Sequence, residues 1–561
     1  MQSLLLLPAF AVCLLLGWPS PSLASRGSET AGGGPLERFP PKVQFFWTDI
    51  DHFNFVSKSP AQKFAVKVLT YDGFYNRLPE SPLLVYLGNE GVIESFYNNT
   101  GAMFEIAEEM GALVVFIEHR YYGNGTSLPW GGNSFTEEHL AFLTVEQAMG
   151  DFAEVLSQMR TDLECTGAKA CPTILFGGSY GAMLVVWFRQ KYPHLSVGGV
   201  AASAPVNTFA DDLDLGALFW NASLSVFGSE GKIVGWPQCE QTVKKGMDEI
   251  QKKSLRQLSG TFPVCKKMET ETDRLRLEAY VRGALSTLAM SDYSVQADLM
   301  QPLPPFPVRE ACKRMRQHVR KGKGSSPLLK DLVGAVNLMV NSTEKLECWD
   351  LGRELIEEEG GRERGNAGED FSGNFPPSLS MGGNSLGDIW KVWSFQVCTE
   401  LPMQPLTSED FGFLIPFSED HSRALKAACA RLFPHTKWRP LWMRTATGGD
   451  SLGSVSNLIF SDGAKDPWGA GGPNRACYER IVQGKSTEGC EEMKPQTGSP
   501  QSFALHPSAV RLFIRDGAHH ADLRASDPND SEELRRARRK EREVMRKWID
   551  EALGKEVLNV A

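Results

Sequence analysis

Three patterns that would point to other classes of protein are missing from this 561-residue sequence. Beyond the N-terminus there is no apolar run long enough to cross a bilayer, so we expect no membrane-spanning segment. There is no Cys-x-x-Cys or other zinc spacing and no His-Glu-x-x-His motif, which argues against a metal site and a zinc peptidase. The formal net charge of −9 and the pI of about 5.7 give no reason to expect nucleic acid as a partner.

The first 24 residues have the layout of a secretory signal peptide. Residues 4–16 are almost wholly apolar, and Ser22 and Ala24 offer the small side chains that a cleavage site needs. The run is shorter than the roughly 20 residues that span a bilayer, although the positively charged segment that usually precedes it is missing. We predict a signal peptide over residues 1–24 and a secretory-pathway protein that is lysosomal or extracellular.

The cysteines and the glycosylation sequons agree with that compartment. Of eleven cysteines, one lies in the predicted signal, and an even number remains for disulfide pairing in an oxidising lumen. The sequence leaves their connectivity open. These ten are Cys165, Cys171, Cys239, Cys265, Cys312, Cys348, Cys398, Cys429, Cys477 and Cys490. The predicted glycosylation sites, in Asn-x-Ser/Thr sequons, are Asn98, Asn124, Asn221, Asn341 and Asn529.

The segment 177–181, Gly-Gly-Ser-Tyr-Gly, follows an apolar strand-like run and precedes a helical pattern. Strand, tight glycine turn and helix in this order form a nucleophile elbow, which presents a serine hydroxyl at the top of an α/β-hydrolase sheet. Two other segments match Gly-x-Ser-x-Gly, around Ser385 and Ser451, but neither follows a strand-like run, so we interpret them as loops. Ser179 is therefore the predicted nucleophile of a serine hydrolase.

Strand-like and helical patterns alternate on either side of a long helical interruption. Strand-like runs lie at 65–69, 83–87, 113–117, 173–176, 197–203, 455–460 and 510–514. From about residue 207 to 388 the pattern is mainly helical, and residues 357–387 have a loop-like composition. We predict an α/β-hydrolase fold with an inserted helical cap. Its core comprises residues 25–206 and 391–561, including a C-terminal helix, and the cap comprises residues 207–390.

A serine hydroxyl needs an imidazole base, and the imidazole needs a carboxylate that orients it. In α/β-hydrolases these partners follow the serine along the chain, the acid first, on loops after late strands. The run 455–460 leads to Asp462 and Asp466, and the run 510–514 leads to His519 and His520. The residues alone do not choose between the two aspartates or between the two histidines.

Six segments resemble the family of lysosomal Pro-Xaa carboxypeptidase and dipeptidyl peptidase II. They are LGNEG (87–91), EHRYYG (118–123), GGSYGAM (177–183), QVCTE (396–400), NLIFSDGAKDPW (457–468) and GAHHADLR (517–524). The resemblance runs from about residue 45 to 553 and implies that Ser179 is the nucleophile, Asp466 the orienting acid and His519 the general base. The chain departs from the family in a longer segment between Asp466 and His519 and in the insert at 357–387.

The remaining site residues are expected around that triad. The oxyanion needs backbone donors, which we expect from Tyr180, directly after the nucleophile, and from Glu90, on the loop after the strand-like run 83–87. The resemblance implies a proline pocket lined by Met183, Met403 and Trp468. No cofactor and no metal is expected.

The predicted function is a serine exopeptidase that cleaves peptides next to proline. Release of a C-terminal residue from Pro-Xaa is the leading hypothesis, and release of N-terminal Xaa-Pro dipeptides is the alternative, to which the acidic residues 357–359 would contribute. A catalytically silent α/β-hydrolase used for binding is the third hypothesis. The expected partner is a proline-containing peptide, without nucleic acid or membrane, and a homodimer stays open.

A further hypothesis is that charge on His520 keeps its neighbour His519 neutral in acid; the alternative is that His520 only packs beneath the loop.

Overall fold

The structure is a computed structural model. The predicted signal peptide, Asn124, Met403, the insert up to residue 385 and the serines of the two rejected motifs lie outside the residues that it describes. The described residues are 34–54, 62–123, 125–165, 170–208, 215–297, 302–319, 327–351, 386–401, 426–427, 429–439, 441–448, 452–490 and 505–555.

An eight-stranded sheet in the order β1-β2-β4-β3-β5-β6-β7-β8 forms the centre of the fold. Its strands are β1 Lys42–Asp49, β2 Lys63–Tyr71, β3 Leu83–Leu87, β4 Leu113–Ile117, β5 Thr173–Gly178, β6 Gly198–Ala202, β7 Leu458–Gly463 and β8 Val510–Ile514. The pairs β1-β2 and β2-β4 are antiparallel and all later pairs are parallel. This topology is the α/β-hydrolase fold, which confirms the predicted fold class.

Among the described residues, helices flank the sheet on both faces and are the main elements between β6 and β7. They are α1 Pro35–Arg38, α2 Ile93–Asn99, α3 Ala102–Met110, α4 Glu137–Leu140, α5 Val145–Asp162, α6 Tyr180–Lys191, α7 Leu215–Ile233, α8 Cys239–Lys252, α9 Leu255–Ser259, α10 Glu271–Met290, α11 Pro307–Val319, α12 Pro327–Val340, α13 Leu386–Thr399, α14 Trp442–Thr447, α15 Arg475–Val482 and α16 Glu532–Leu553. Every residue of β3 to β7 is buried, as expected for parallel strands covered on both faces.

The described part of residues 215–351 has an apolar cluster of its own. It is built from helices α7 to α12, around buried side chains such as Leu277, Leu285 and Leu332. Trp468, from the loop after β7, packs against this cluster and also against the main apolar cluster of the sheet. The helical layer therefore lies against the loops at the carboxyl end of the sheet, although the exact boundaries of the predicted cap stay a prediction.

All ten cysteines beyond the predicted signal are paired, which confirms the expectation of disulfide bonding. The bridges are Cys165–Cys171, Cys239–Cys312, Cys265–Cys348, Cys398–Cys429 and Cys477–Cys490. The bridges Cys239–Cys312 and Cys265–Cys348 lie in the helical layer and join residues 73 and 83 positions apart. They close longer loops than the other three bridges, so they restrict the unfolded chain more.

Each of the seven strand-like runs overlaps a strand, although the run 455–460 begins three residues before β7, and β1 was missed. Its apolar side chains Val43, Phe45 and Trp47 are 54%, 51% and 59% exposed. The backbone pairing with β2, from Lys42 opposite Thr70 onwards, fixes the register and turns these residues outwards. An edge strand with apolar residues on its solvent side lacks the alternation by which sequence analysis finds strands.

The sequons differ in accessibility. Asn529 is exposed, whereas Asn98, Asn221 and Asn341 are half-buried. The Asn341 amide is held in place, since its Oδ1 accepts a hydrogen bond from Leu346 N–H over 2.8 Å. Glycosylation stays a prediction at all of them. Within the described ranges, no helix has the length and apolarity to cross a membrane.

Candidate active site

Ser179 lies at the turn between β5 and α6 with a strained backbone, φ 58° and ψ −125°. A positive φ in a non-glycine residue is rare and marks the sharp bend of an elbow. The neighbouring glycines are required by space: a Cβ on Gly177 would lie 2.2 Å from the carbonyl oxygen of Gly181. Ser179 is only partly buried at the end of the sheet.

The structure brings Asp466 and His519 together from different loops. His519 Nδ1 lies 2.9 Å from Asp466 Oδ2, and both side chains are almost wholly buried. The two atoms are at hydrogen-bonding distance, but their angles do not form a hydrogen bond. Catalytic pairs often reach full alignment only when substrate binds. Asp466 is held from the other side, because its Oδ1 accepts from Trp468 N–H over 3.0 Å.

The neighbouring acid is placed differently. Asp462 Oδ2 accepts a hydrogen bond from Asn474 Nδ2 over 2.9 Å, and the carboxyl is 1% exposed. Burial, reinforced by the nearby Asp466 carboxylate, raises the pKa of Asp462 well above its usual range. Asp462 therefore points to Asn474 at the base of the loop, whereas the side chain of Asp466 faces the imidazole of His519.

His520 packs beneath the elbow. A Cβ on Gly178 would lie 2.9 Å from its ring, and its backbone N–H donates to Ser203 Oγ over 2.8 Å. Burial, together with His519 and Arg524, lowers the pKa of His520 well below its usual value. The lowered pKa of His520 disfavours the hypothesis that a positive charge on this residue keeps His519 neutral. Its contacts beneath the elbow favour the packing role.

The loop after β3 lies against the elbow, as the oxyanion hypothesis requires. The Asn89 side chain is 3.1 Å from the position that a Cβ on Gly181 would occupy. Asn89 is held by Tyr86 OH, which donates to its Oδ1 over 3.1 Å, and its Nδ2 donates to Glu90 Oε2 over 2.9 Å. Burial raises the pKa of the Glu90 carboxyl, which lies close enough to His519 to interact with it electrostatically. The backbone donors at Tyr180 and Glu90 stay a proposal.

A buried hydrogen-bond network holds the side chain of Tyr180, the residue after the nucleophile. His119 Nδ1 lies 2.7 Å from the Arg120 carbonyl oxygen and so carries the proton, and burial lowers the pKa of His119 to about 4. Its Nε2 therefore accepts from Tyr180 OH over 3.2 Å. Gln396 Nε2 donates to the same phenol oxygen over 3.1 Å, and Gln396 Oε1 accepts from Tyr122 OH over 2.5 Å.

Glu400 continues this network to helix α5. Its two carboxyl oxygens accept from Val145 N–H over 2.9 and 3.0 Å, and Oε1 also accepts from Gln396 Nε2 over 3.0 Å. Burial, followed by repulsion from the Glu146 carboxylate, raises the pKa of Glu400 to about 8. The carboxyl behind the elbow is therefore mostly neutral in acid and becomes charged only above neutral pH.

Two of the three expected pocket residues lie in the described part of the chain. Met183, in the first turn of α6, is fully buried in the main apolar cluster, and Trp468 packs against that cluster at its edge. The Trp468 ring meets Phe219 of α7 edge-on, with 5.4 Å between centroids. Met403 lies outside the described residues, so the composition of the proline pocket stays a prediction.

One side-chain group in the described ranges has the spacing of a metal site. Asp49, His52 and Glu154 offer ligand atoms within 4.8 Å of one another. Lys63 Nζ, however, lies 3.0 Å from Asp49 Oδ1 and 3.3 Å from Glu154 Oε1. The ammonium already supplies the positive charge, so this group is a surface ion-pair network.

Comparison with known proteins identifies the family. The family model described as serine carboxypeptidase S28 matches residues 48–506. The chain belongs to this family. Members are serine peptidases, and this chain is one. The lysosomal Pro-X carboxypeptidases of Homo sapiens and Mus musculus are each 32% identical to the chain over 90% of its length, covering 88% and 89% of theirs. The thymus-specific serine protease of Homo sapiens is 26% identical over 92% of this chain and 88% of its own length.

The sequence pattern gave no role to the polar residues of several S28-like segments. His119 and Tyr122 come from one such segment, and Gln396 and Glu400 from another. The available signal was Gln396 and Glu400, two polar side chains four residues apart around the end of helix α13. The pattern could not show that these segments meet at Tyr180, because they are separated by more than 200 residues of sequence.

Proposed function

We propose that this S28 peptidase releases the C-terminal residue from peptides whose penultimate residue is proline. The observation that carries the proposal is the 32% identity with lysosomal Pro-X carboxypeptidases over 90% of the chain. The site geometry supports it, because a strained serine elbow and a facing Asp466–His519 pair lie at the same edge of the sheet.

In the proposed mechanism Ser179 Oγ attacks the carbonyl carbon of the peptide bond after proline. His519 takes the hydroxyl proton and later gives it to the leaving amino group, while Asp466 orients the imidazole and stabilises its protonated form. The N–H groups of Tyr180 and Glu90 donate to the oxyanion of the tetrahedral intermediate, a contribution of about 3 kcal/mol for each donor. Water then attacks the acyl-enzyme by the same route and releases the shortened peptide.

Preference for proline is assigned to the apolar surface beside the elbow. Trp468 follows Asp466 by two residues, so the acid and the indole are positioned by one turn. A flat indole and an adaptable thioether, such as that of Met183, suit a compact pyrrolidine ring that offers no hydrogen-bond donor. The proposed compartment is the lysosome or the exterior, which agrees with five disulfides and with the lysosomal relatives.

The experiment uses a peptide with proline at its second and at its penultimate position, free at both ends. Loss of the C-terminal residue, detected by mass, is the expected result, and a C-terminally amidated copy should resist cleavage. An N-terminally acetylated copy should be cleaved normally. Release of an N-terminal dipeptide instead would establish the dipeptidyl peptidase alternative and refute the proposed polarity.

The nucleophile is tested in the same assay. Ser179→Ala should lower hydrolysis by several orders of magnitude without loss of folding, since the hydroxyl of a partly buried serine contributes little to stability. Matched controls are Ser385→Ala and Ser451→Ala, the serines of the other two Gly-x-Ser-x-Gly segments. An active Ser179→Ala protein, or a complete loss of activity in either control, would refute the assignment.

A further inference from the structure

The loop after β7 carries Asp466 and the loop after β8 carries His519. A backbone hydrogen bond joins the two loops. Lys465 N–H donates to the Gly517 carbonyl oxygen over 2.9 Å. A Cβ on Gly463 would lie only 2.2 Å from that same oxygen, so the two loops are in direct contact. This contact lies before Asp466 and before His519 along their loops.

The end of helix α10 supplies that support to both loops. The carbonyl oxygen of Met290, the last residue of α10, accepts from His519 N–H over 2.9 Å. Two residues further on, Asp292 Oδ2 accepts from Lys465 Nζ over 2.8 Å. One short segment of the helical layer therefore binds the proposed general base through its backbone and binds the residue before the proposed acid.

Lys465 also contacts a second helix of that layer. Its Nζ lies 2.7 Å from Glu230 Oε1 of α7, and Glu230 pairs in turn with Arg309 of α11. The side chains of Lys465, Glu230 and Asp292 are 7%, 1% and 0% exposed. Although burial disfavours the ammonium, the Asp292 and Glu230 carboxylates raise the pKa of Lys465 above its usual value. Lys465 therefore remains a buried cation that connects the acid loop to both helices.

We propose that Lys465, Asp292 and Glu230 form a clamp through which the helical layer positions the catalytic acid and base. The three residues touch no reacting atom and act through Asp466 and His519, so they are positioning residues. The inference rests on the proposed roles of those two side chains.

The energetics favour a positioning role over a stabilising one. Desolvation offsets most of the attraction in a buried ion pair, so apolar residues of similar volume stabilise a fold about as well. What such a pair adds is a specific geometry. A displacement of about 1 Å at a catalytic group lowers the rate by about 100-fold. Loss of the clamp should therefore appear mainly in kcat.

The test is the double variant Lys465→Met/Asp292→Asn. It removes one charge of each sign and leaves Glu230 paired with Arg309, so that no buried charge loses its partner. The carbonyl oxygen of the introduced amide would still accept from Val308 N–H, as Asp292 Oδ1 does over 3.0 Å. We expect kcat on the proline peptide and the rate of labelling by a fluorophosphonate each to fall by about 10- to 100-fold, with KM changed by less than about threefold.

The matched control is Arg276→Met, which removes a mostly buried cation at the other end of α10. Arg276 Nη1 pairs with Asp273 Oδ1 over 3.4 Å, and Asp273 keeps its bonds to the backbone N–H groups of Glu269 and Thr270. The control should keep the parent kcat. Parent kcat and labelling rate in the folded double variant, or an equal fall in the control, would overturn the clamp.

Two further variants keep the test decisive. If the double variant does not fold, Lys465→Gln keeps an amide donor group but removes the charge, on a shorter side chain, and should still lower kcat. An unchanged kcat overturns the clamp. His519→Gln tests the proposed triad, on which the clamp depends. Normal labelling of His519→Gln would refute the proposed triad, whereas abolished labelling in His519→Gln with parent labelling in the clamp variant would refute the clamp alone.

Discussion

Replacing Glu400 with Gln should stabilise the folded protein at neutral pH and leave its stability in acid unchanged. Burial, then repulsion from Glu146, raises the pKa of Glu400 from 4.5 to about 8 in the folded chain. Between these two values the folded protein keeps a proton that the unfolded chain has released. The favourable contribution of Glu400 is therefore complete below pH 4.5 and is lost as the pH rises towards 8.

The magnitude follows from the width of that interval. Each pH unit within it lowers the free energy of unfolding by about 1.4 kcal/mol, so at about pH 7.5 the loss approaches 4 kcal/mol as an upper limit. A glutamine at this position accepts from Val145 N–H as the protonated Glu400 does but never ionises. The variant should thus match the parent near pH 5 and exceed it by up to about 4 kcal/mol near pH 7.5.

Urea unfolding of both proteins at the two pH values measures this difference. Burial raises the pKa of other carboxyls as well, Glu90 and Asp292 among them, but their effect is the same in both proteins and cancels in the comparison. Glu543→Gln is the matched control, since that side chain is 69% exposed on α16. Parallel stability curves for parent and Glu400→Gln across this pH range would refute the reasoning.

Three further predictions concern the elbow and its surroundings. Gly177→Ala should destabilise the protein by about 3 kcal/mol or more in urea unfolding, because the added Cβ would lie 2.2 Å from a backbone oxygen. The control Gly283→Ala, which has open space around it inside α10, should be neutral or stabilising. Trp468→Ala should reduce the preference for proline over alanine by about 1–3 kcal/mol in kcat/KM; an unchanged ratio removes the indole from the pocket. His520→Gln should leave the acidic limb of the kcat/KM profile in place, since burial keeps the pKa of His520 low; a limb that moves to higher pH would restore a charge role for His520.

Local pattern was sufficient for much of the fold. Parallel strands buried on both faces are continuous apolar runs, and for that reason β3 and β4 were located within the chain from residues alone. The elbow was also a local feature, because the glycines around Ser179 are demanded by a turn of five residues. Strand β1 was not found, since its apolar residues face solvent and only pairing with β2 defines it.

The sequence by itself determined the class of fold, the nucleophile candidate and the loops on which an acid and a base had to lie. It could not choose between neighbouring residues on those loops, because successive side chains differ in direction by an amount that only the folded loop fixes. The tertiary structure places Asp466 against His519, buries Asp462 against Asn474 and places His520 under the elbow. Only the tertiary structure likewise shows that Lys465 pairs with Asp292, which lies just after α10 and 173 residues away along the chain. No local sequence pattern encodes a contact between two distant segments.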